Sequence, residues 1–255
     1  MKLVDCFTFY NELNMLELRL EELYDVVDTF VIVEAITTYT GNKKELYFQN
    51  NRDRFKKYLD KIVHVVVDDM PKSNNAWILE RFQRNAIHRG LQRITLKDED
   101  LIIISDLDEI PDTDTLLKFK NEMLDEPISL EMDLYYYNFT CKFANKWLSA
   151  KVVPFKYYKN DTQPEKWRHK TFKNVPHGGW HLSYFGTSDF ICNKIANFAH
   201  QEFNNSTYNT KEFIEDGMNN GTDLYRRQNI KFNKIKLEDN TYLPKNYKMF
   251  KIQDI

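Results

Sequence analysis

The sequence is poor in the residues that interrupt or cross-link chains: 3 Cys, 7 Gly and 7 Pro among 255 residues. Cys6, Cys141 and Cys192 are widely separated, odd in number and free of any C-x-x-C spacing. That argues against a disulfide framework and against a thiolate zinc site, and it fits a reducing compartment. Scarce glycine and proline leave little room for flexible linkers. No apolar run reaches the roughly 18–20 residues needed to cross a bilayer. The start, MKLVDCFTFYNE, carries an acid at its fifth residue and lacks the form of a signal peptide. A soluble, cytoplasmic protein is therefore expected, with its Asn-x-Ser/Thr triplets unused. An excess of one charge is also missing: 36 Lys+Arg stand against 38 Asp+Glu, a formal net charge of −2. A general nucleic-acid binder would be basic overall.

What the sequence does have is 42% apolar, 29% charged and an ample 15% aromatic residues. This is a globular composition, long enough for one large domain with a buried core. The first two thirds alternate strand and helix. Strands are predicted at Leu3–Tyr10, Thr29–Ala35, Ile62–Val67 and Leu101–Ser105. A helix with Leu13, Leu16, Leu20 and Leu23 at helical spacing follows Asn11, and another spans Ala76–Leu91. The fully apolar runs are those of parallel strands buried on both faces, so βαβ units are expected. Beyond about residue 127 the pattern changes. Longer aromatic strands, antiparallel in character, are predicted at Ile128–Phe139 and Lys151–Tyr158, with a short strand at His181–Phe185. Helices at Ser188–Ala199 and Lys211–Asn219 follow. The reading is one α/β unit over residues 1–255, with halves of about 1–126 and 127–255.

Charge is unevenly distributed. Residues 98–133 hold 13 acids and 2 bases, a local net of −11, whereas residues 142–173 hold 9 bases and 2 acids, a local net of +7. An acidic centre beside a basic segment suits a metal that grips a phosphorylated ligand. An ordinary mixed surface is the competing explanation.

The most informative stretch is LIIISDLDEIP, residues 101–111. An apolar strand delivers Asp106, Asp108 and Glu109 to its carboxyl end, where open α/β sheets bind ligands. Residues two apart on an extended segment face one side. Two converging carboxylates repel unless they share a hard cation such as Mg²⁺ or Mn²⁺. Asp-x-Asp alone is a weak signal, and Asp98/Asp100 and Asp112/Asp114 repeat it where turns or helix caps are expected. Only the 106/108 pair follows a buried strand.

Other candidates surround this motif. Glu34 ends the second strand and should open on the same sheet edge. Arg81 and Arg84, one helical turn apart, could reach a phosphate. In HGGWHLSYFG, residues 177–186, glycines permit close approach, Trp180 offers a sugar-stacking face, and His181 could complete a metal shell. Asp189 stands at a helix start, as an N-cap or a general base. His200 and Glu202 form a further pair.

Taken together, DCFTFYNELNMLELRLEEL, VVDTFVIVEAITTYTG, WILERFQRN, IIISDLDEIP, GGWHLSYFG and LPKNYKMF resemble, in order, glycosyltransferase family 17, the bisecting β-1,4-N-acetylglucosaminyltransferase family. The resemblance runs from near residue 5 to near residue 250. It implies a GT-A fold, a Rossmann-like mixed sheet flanked by helices. It also implies inverting transfer of a sugar from a UDP-sugar, UDP-N-acetylglucosamine above all, to a glycan or glycoprotein acceptor, with Mn²⁺ (or Mg²⁺) as the metal. Carried onto this sequence, Asp106 would meet the ribose or the metal, Asp108 would bind the metal on the donor diphosphate, and His181 would be a third metal ligand. Glu34 and Arg84 would line the nucleotide pocket. Asp189 would be the base, with Glu202 as the alternative. Tyr135, Tyr136, Tyr137, Trp147 and Trp167 are candidates for acceptor contacts or for an aromatic core. Animal members are membrane-anchored, whereas this sequence displays neither anchor nor stem, which puts an N-glycan acceptor in question. Two other readings compete. One is a metal-dependent phosphohydrolase of the haloacid-dehalogenase type, although Glu109-Ile110-Pro111 departs from its motif. The other is a non-catalytic glycan-binding module.

Overall fold

A computed structural model describes residues 1–228 and 230–250. Its strands are β1 (Leu3–Phe9), β2 (Thr29–Ala35), β3 (Ile62–Val67), β4 (Leu101–Ile104), β5 (Glu109–Pro111), β6 (Ile128–Tyr136), β7 (Cys141–Trp147), β8 (Lys151–Pro154), β9 (Lys173–Ser183) and β10 (Phe232–Lys234). They form one mixed sheet in the order β10-β7-β6-β8-β4-β1-β2-β3, with β9 pairing β6 and β5 pairing β9. β4, β1, β2 and β3 run parallel. β8 then pairs antiparallel with β4, joining the second half of the chain to the first. This is the expected Rossmann-like mixed sheet flanked by helices.

β1, β2 and β4 are legible because both of their faces are buried. Leu3, Phe7 and Phe9 pack on one side with Leu16, Leu20 and Leu23 of the Leu13–Leu23 helix. Val4 and Cys6 pack on the other with Ala86, Ile87 and Leu91. Asp5 breaks the apolar run and is fully buried. Its partner is Arg19, which sits on the helix among those leucines and holds Asp5 bidentately at 2.6 and 2.8 Å.

Several expectations need correction. The Ala76–Leu91 helix divides at Ala86 into Ala76–Asn85, capped by the Asn75 side chain, and Ile87–Leu91. The Lys151–Tyr158 strand stops at Pro154 and continues as one helical turn, Phe155–Tyr158. β7 was not anticipated. The short strand at His181–Phe185 is the end of an eleven-residue strand, β9, beginning at Lys173. Pro176, Gly178 and Gly179 suggest a break there. The chain instead passes them through a register shift against β6, between Leu130 and Met132. A Cβ at Gly179, whose φ is +130°, would lie 2.1 Å from the carbonyl oxygen of Ile110, and one at Gly178 would lie 2.7 Å from the Glu131 nitrogen. These glycines admit neighbouring strands rather than a ligand.

Candidate active site

A cavity of about 1160 Å³ opens at the carboxyl ends of β1, β2 and β4, the position where α/β sheets gather ligands. Its walls include Thr8–Tyr10 at the end of β1, Thr37–Tyr39 after β2, Arg84 from the Ala76–Asn85 helix and Asp106–Asp108 after β4. The opposite wall comes from the antiparallel half and is largely aromatic, with Tyr136, Trp147, Tyr184, Tyr225 and Phe232.

The motif loop is held from beneath. Arg19 donates from Nη1 to the carbonyls of Asp106, Leu107 and Glu109 at 2.7–3.0 Å and from Nη2 to Ser105 Oγ at 2.6 Å. Together with Asp5, these bonds occupy its guanidinium fork. The loop therefore has little freedom, and its carboxylates project from a fixed base. Sequence analysis missed Arg19. The available signal was a charged residue on the leucine stripe of one helix paired with a charged residue inside a buried strand.

The two aspartates of the motif meet different partners. Asp106 accepts from Arg84 at 2.5 Å on Oδ1 and from Arg168 at 2.7 Å on Oδ2. Burial pushes its carboxyl up, but Arg168 and Arg84 outweigh that and hold it down at about 2. Asp108 lies 3.0 Å from Lys194 Nζ and 3.5 Å from His181 Nε2. Burial opposes its ionisation, and Lys194 and His181 overcome this, driving the carboxyl far below its ordinary range. Glu109 is buried behind them and accepts from Arg168 at 2.6 and 2.9 Å and from the Trp147 indole at 2.6 Å. Arg168 and Lys194 were not anticipated as site residues. Arg168 lies in the basic 142–173 segment, and that segment's charge is spent largely on internal pairs: Arg168 with Asp106 and Glu109, Lys142 and Lys146 with Asp133, and Lys159 with Asp98.

Among the described residues, no group of three or more His, Cys, Asp or Glu side chains could by itself hold a metal. Asp106 has both oxygens engaged by guanidinium groups. Asp108 has Lys194 on Oδ2 and His181 Nε2 facing Oδ1, and His181 Nδ1 is buried without a partner, so Asp108 and His181 are the two neighbouring side chains left with metal-binding chemistry.

The other predicted residues are distributed as follows. Arg81 lies on the cavity wall with Arg84, but its Nε is turned back to the Trp77 carbonyl. Glu34 is fully buried and absent from the wall; it accepts from the Phe48 nitrogen at 3.0 Å and contacts His64 at 3.1 Å, fastening the loop after β2. Asp189 is neither cap nor wall residue. Thr187 caps its helix, and Asp189 is exposed and paired with Lys211 at 2.8 Å. Glu202 lies behind the wall, bonded to His200, which is on it. Trp180 is buried, its indole donating to the Tyr242 carbonyl, so it presents no face for sugar stacking. Tyr136 and Trp147 reach the cavity, whereas Tyr135, Tyr137 and Trp167 belong to the core. Asp112 caps the Thr113–Glu122 helix, as expected of the third Asp-x-Asp.

No helix among the described residues is long and apolar enough to cross a membrane. The chain is 30% identical over 148 residues to the β-1,4-mannosyl-glycoprotein 4-β-N-acetylglucosaminyltransferases of Rattus norvegicus and Homo sapiens. That match covers 55% of this chain and 28% of each relative. Among solved structures, the 4-diphosphocytidyl-2C-methyl-D-erythritol synthase of Anaerococcus prevotii aligns with a TM-score of 0.37 and 13% identity, covering 72% of this chain and 89% of that one. The glycosyltransferase GlyE of Streptococcus pneumoniae aligns at 0.33 with 10% identity, covering 65% and 37%. Residues 1–248 match the profile of glycosyltransferase family 17, and the chain belongs to that family.

Proposed function

We propose that the cavity transfers N-acetylglucosamine from UDP-N-acetylglucosamine to a glycan hydroxyl, with inversion at the anomeric carbon. The observation that carries this reading is the Asp106/Asp108 pair, on a loop clamped by Arg19, at the carboxyl edge of the parallel sheet and facing a cavity large enough for donor and acceptor. Family membership supplies the reaction class, and the name of the mammalian relatives supplies the sugar. The nucleoside fits against Thr8–Tyr10 and Thr37–Tyr39, and the acceptor against the aromatic wall of Tyr136, Trp147 and Tyr184. Asp106 serves through Arg84 and Arg168, which it holds at the donor end of the site. Asp108 and His181 would hold Mn²⁺ or Mg²⁺, which when bound neutralises charge on the leaving diphosphate. Lys194, held charged between Asp108 and Glu12, adds a fixed positive charge at the same place.

Thermal unfolding with a panel of nucleotide sugars, with and without Mn²⁺, tests this. A donor at about 100 times its Kd should stabilise the protein by about 2.7 kcal/mol. That gain should require Mn²⁺ and disappear in Asp108→Asn. No response to any nucleotide sugar with either metal would overturn the donor site. Binding of glycans without nucleotides would instead favour a glycan-binding module.

A further inference from the structure

Inverting transfer needs a base for the acceptor hydroxyl, and this inference rests on that reading. Among the described residues, five carboxylates line the cavity, and each already has a cation. Glu12 is 3.4 Å from Lys194, Glu80 is 2.5 Å from Arg84, Asp106 has Arg84 and Arg168, Asp108 has Lys194 and His181, and Glu165 lies 2.7 Å from Arg84. A carboxylate held this way is a poor proton acceptor.

Three histidines among the described residues share the wall: His169, His181 and His200. His181 turns Nε2 toward Asp108. His169 is highly exposed, and its partner Glu165 is shared with Arg84. His200 is built differently. Its Nδ1 lies 2.7 Å from Oε1 of Glu202, a carboxylate outside the cavity that also accepts from its own backbone N–H. The hydrogen bond from Nδ1–H to that carboxylate selects the tautomer whose Nε2 carries a lone pair. The ring, half exposed, is flanked by Trp77 at 4.5 Å, Phe198 at 5.6 Å and Phe203 at 5.9 Å. Trp77 begins the helix whose Arg84 holds Asp106, and His200 follows the helix whose Lys194 holds Asp108. The imidazole thus stands where the two elements that grip the motif come together.

We propose that His200 is the general base of the transfer and that Glu202 is its positioning residue. Nε2 takes the proton from the acceptor hydroxyl as that oxygen bonds to the anomeric carbon. The bond from the anomeric carbon to the β-phosphate oxygen breaks, its electron pair leaving with the nucleoside diphosphate. Glu202 stabilises the imidazolium so formed, which later returns its proton to solvent.

The test begins with wild-type binding of UDP-N-acetylglucosamine by calorimetry in Mn²⁺, which decides the donor reading separately. UDP release is then followed with water or methyl β-mannoside as acceptor. His200→Ala should lower the turnover rate by about 100-fold or more, leave donor Kd within about twofold, and recover part of its rate with added imidazole. Glu202→Gln should lose less, about tenfold, without a change in donor Kd. A His200→Ala enzyme within about threefold of wild type, or one whose lost rate imidazole does not restore, overturns the proposal. Nitrogen-15 NMR of the wild-type protein gives a readout that needs neither acceptor nor variant. It should show His200 protonated on Nδ1, and protonation on Nε2 with bare Nδ1 would equally overturn the proposal.

Discussion

The two walls of the cavity are built on different principles. The wall carried by the parallel half is ionic: Asp106, Asp108, Arg84 and the clamped loop interlock in a network of shared, largely buried partners. The wall carried by the antiparallel half is aromatic, with Tyr136 packed edge-on to Tyr184 at 5.1 Å and tilted on Phe232 at 4.7 Å. Removing one member of a buried ionic network leaves the others desolvated and unpaired, whereas an aromatic cluster loses mainly area and a hydroxyl. The ionic wall should therefore couple stability to donor binding, and the aromatic wall should separate them.

Three substitutions would sharpen or break that contrast. Arg19→Ala leaves Asp5 buried without a cation and frees the motif loop, so it should cost about 3–5 kcal/mol, read from denaturant midpoints, and weaken donor binding as well. A stable variant with intact donor binding would show that the clamp is dispensable. Acid should expose the second coupling. The Asp106 carboxyl is depressed to about 2 in the folded state, below its unfolded value near 3.9. Its contribution is present above the unfolded value and is lost as pH falls through about 2. The stability difference between wild type and Asp106→Asn should thus shrink between about pH 4 and pH 2, and a difference independent of pH would contradict the pairing. Tyr225→Phe marks the small end. It removes the 2.8 Å bond between the Tyr225 and Tyr184 hydroxyls and should cost about 1 kcal/mol, with donor binding unchanged by calorimetry.

Legibility differed between the halves for a related reason. β2 and β3 emerge at their predicted bounds: β2 is buried on both faces and so almost wholly apolar, and β3, at the sheet edge and half-buried, is still a run of mostly β-branched residues. The 106/108 motif was visible because it interrupts such a run at the place where ligands gather. β7, by contrast, carries exposed Ala144, Asn145 and Lys146, so its local pattern has little apolar periodicity to betray a strand. The Pro176–Gly179 stretch reads as a break because local propensity favours one, yet pairing with β6 and β5 overrides it.

The same division runs through the site. Sequence alone determined the parallel α/β core, the acidic motif at its carboxyl edge and the order of segments that marks the family, because each is written in contiguous residues. Only tertiary structure decided which cation faces which carboxylate. Arg19, Arg168 and Lys194 lie 87, 62 and 86 residues from their partners in the motif, and a charge on a surface helix looks like one in a buried pair until the chain is folded. It also decided that Glu34 fastens a loop, that Trp180 is core and that Asp189 faces outward toward Lys211. Burial and partner choice depend on contacts made across the whole chain, and local pattern does not encode them.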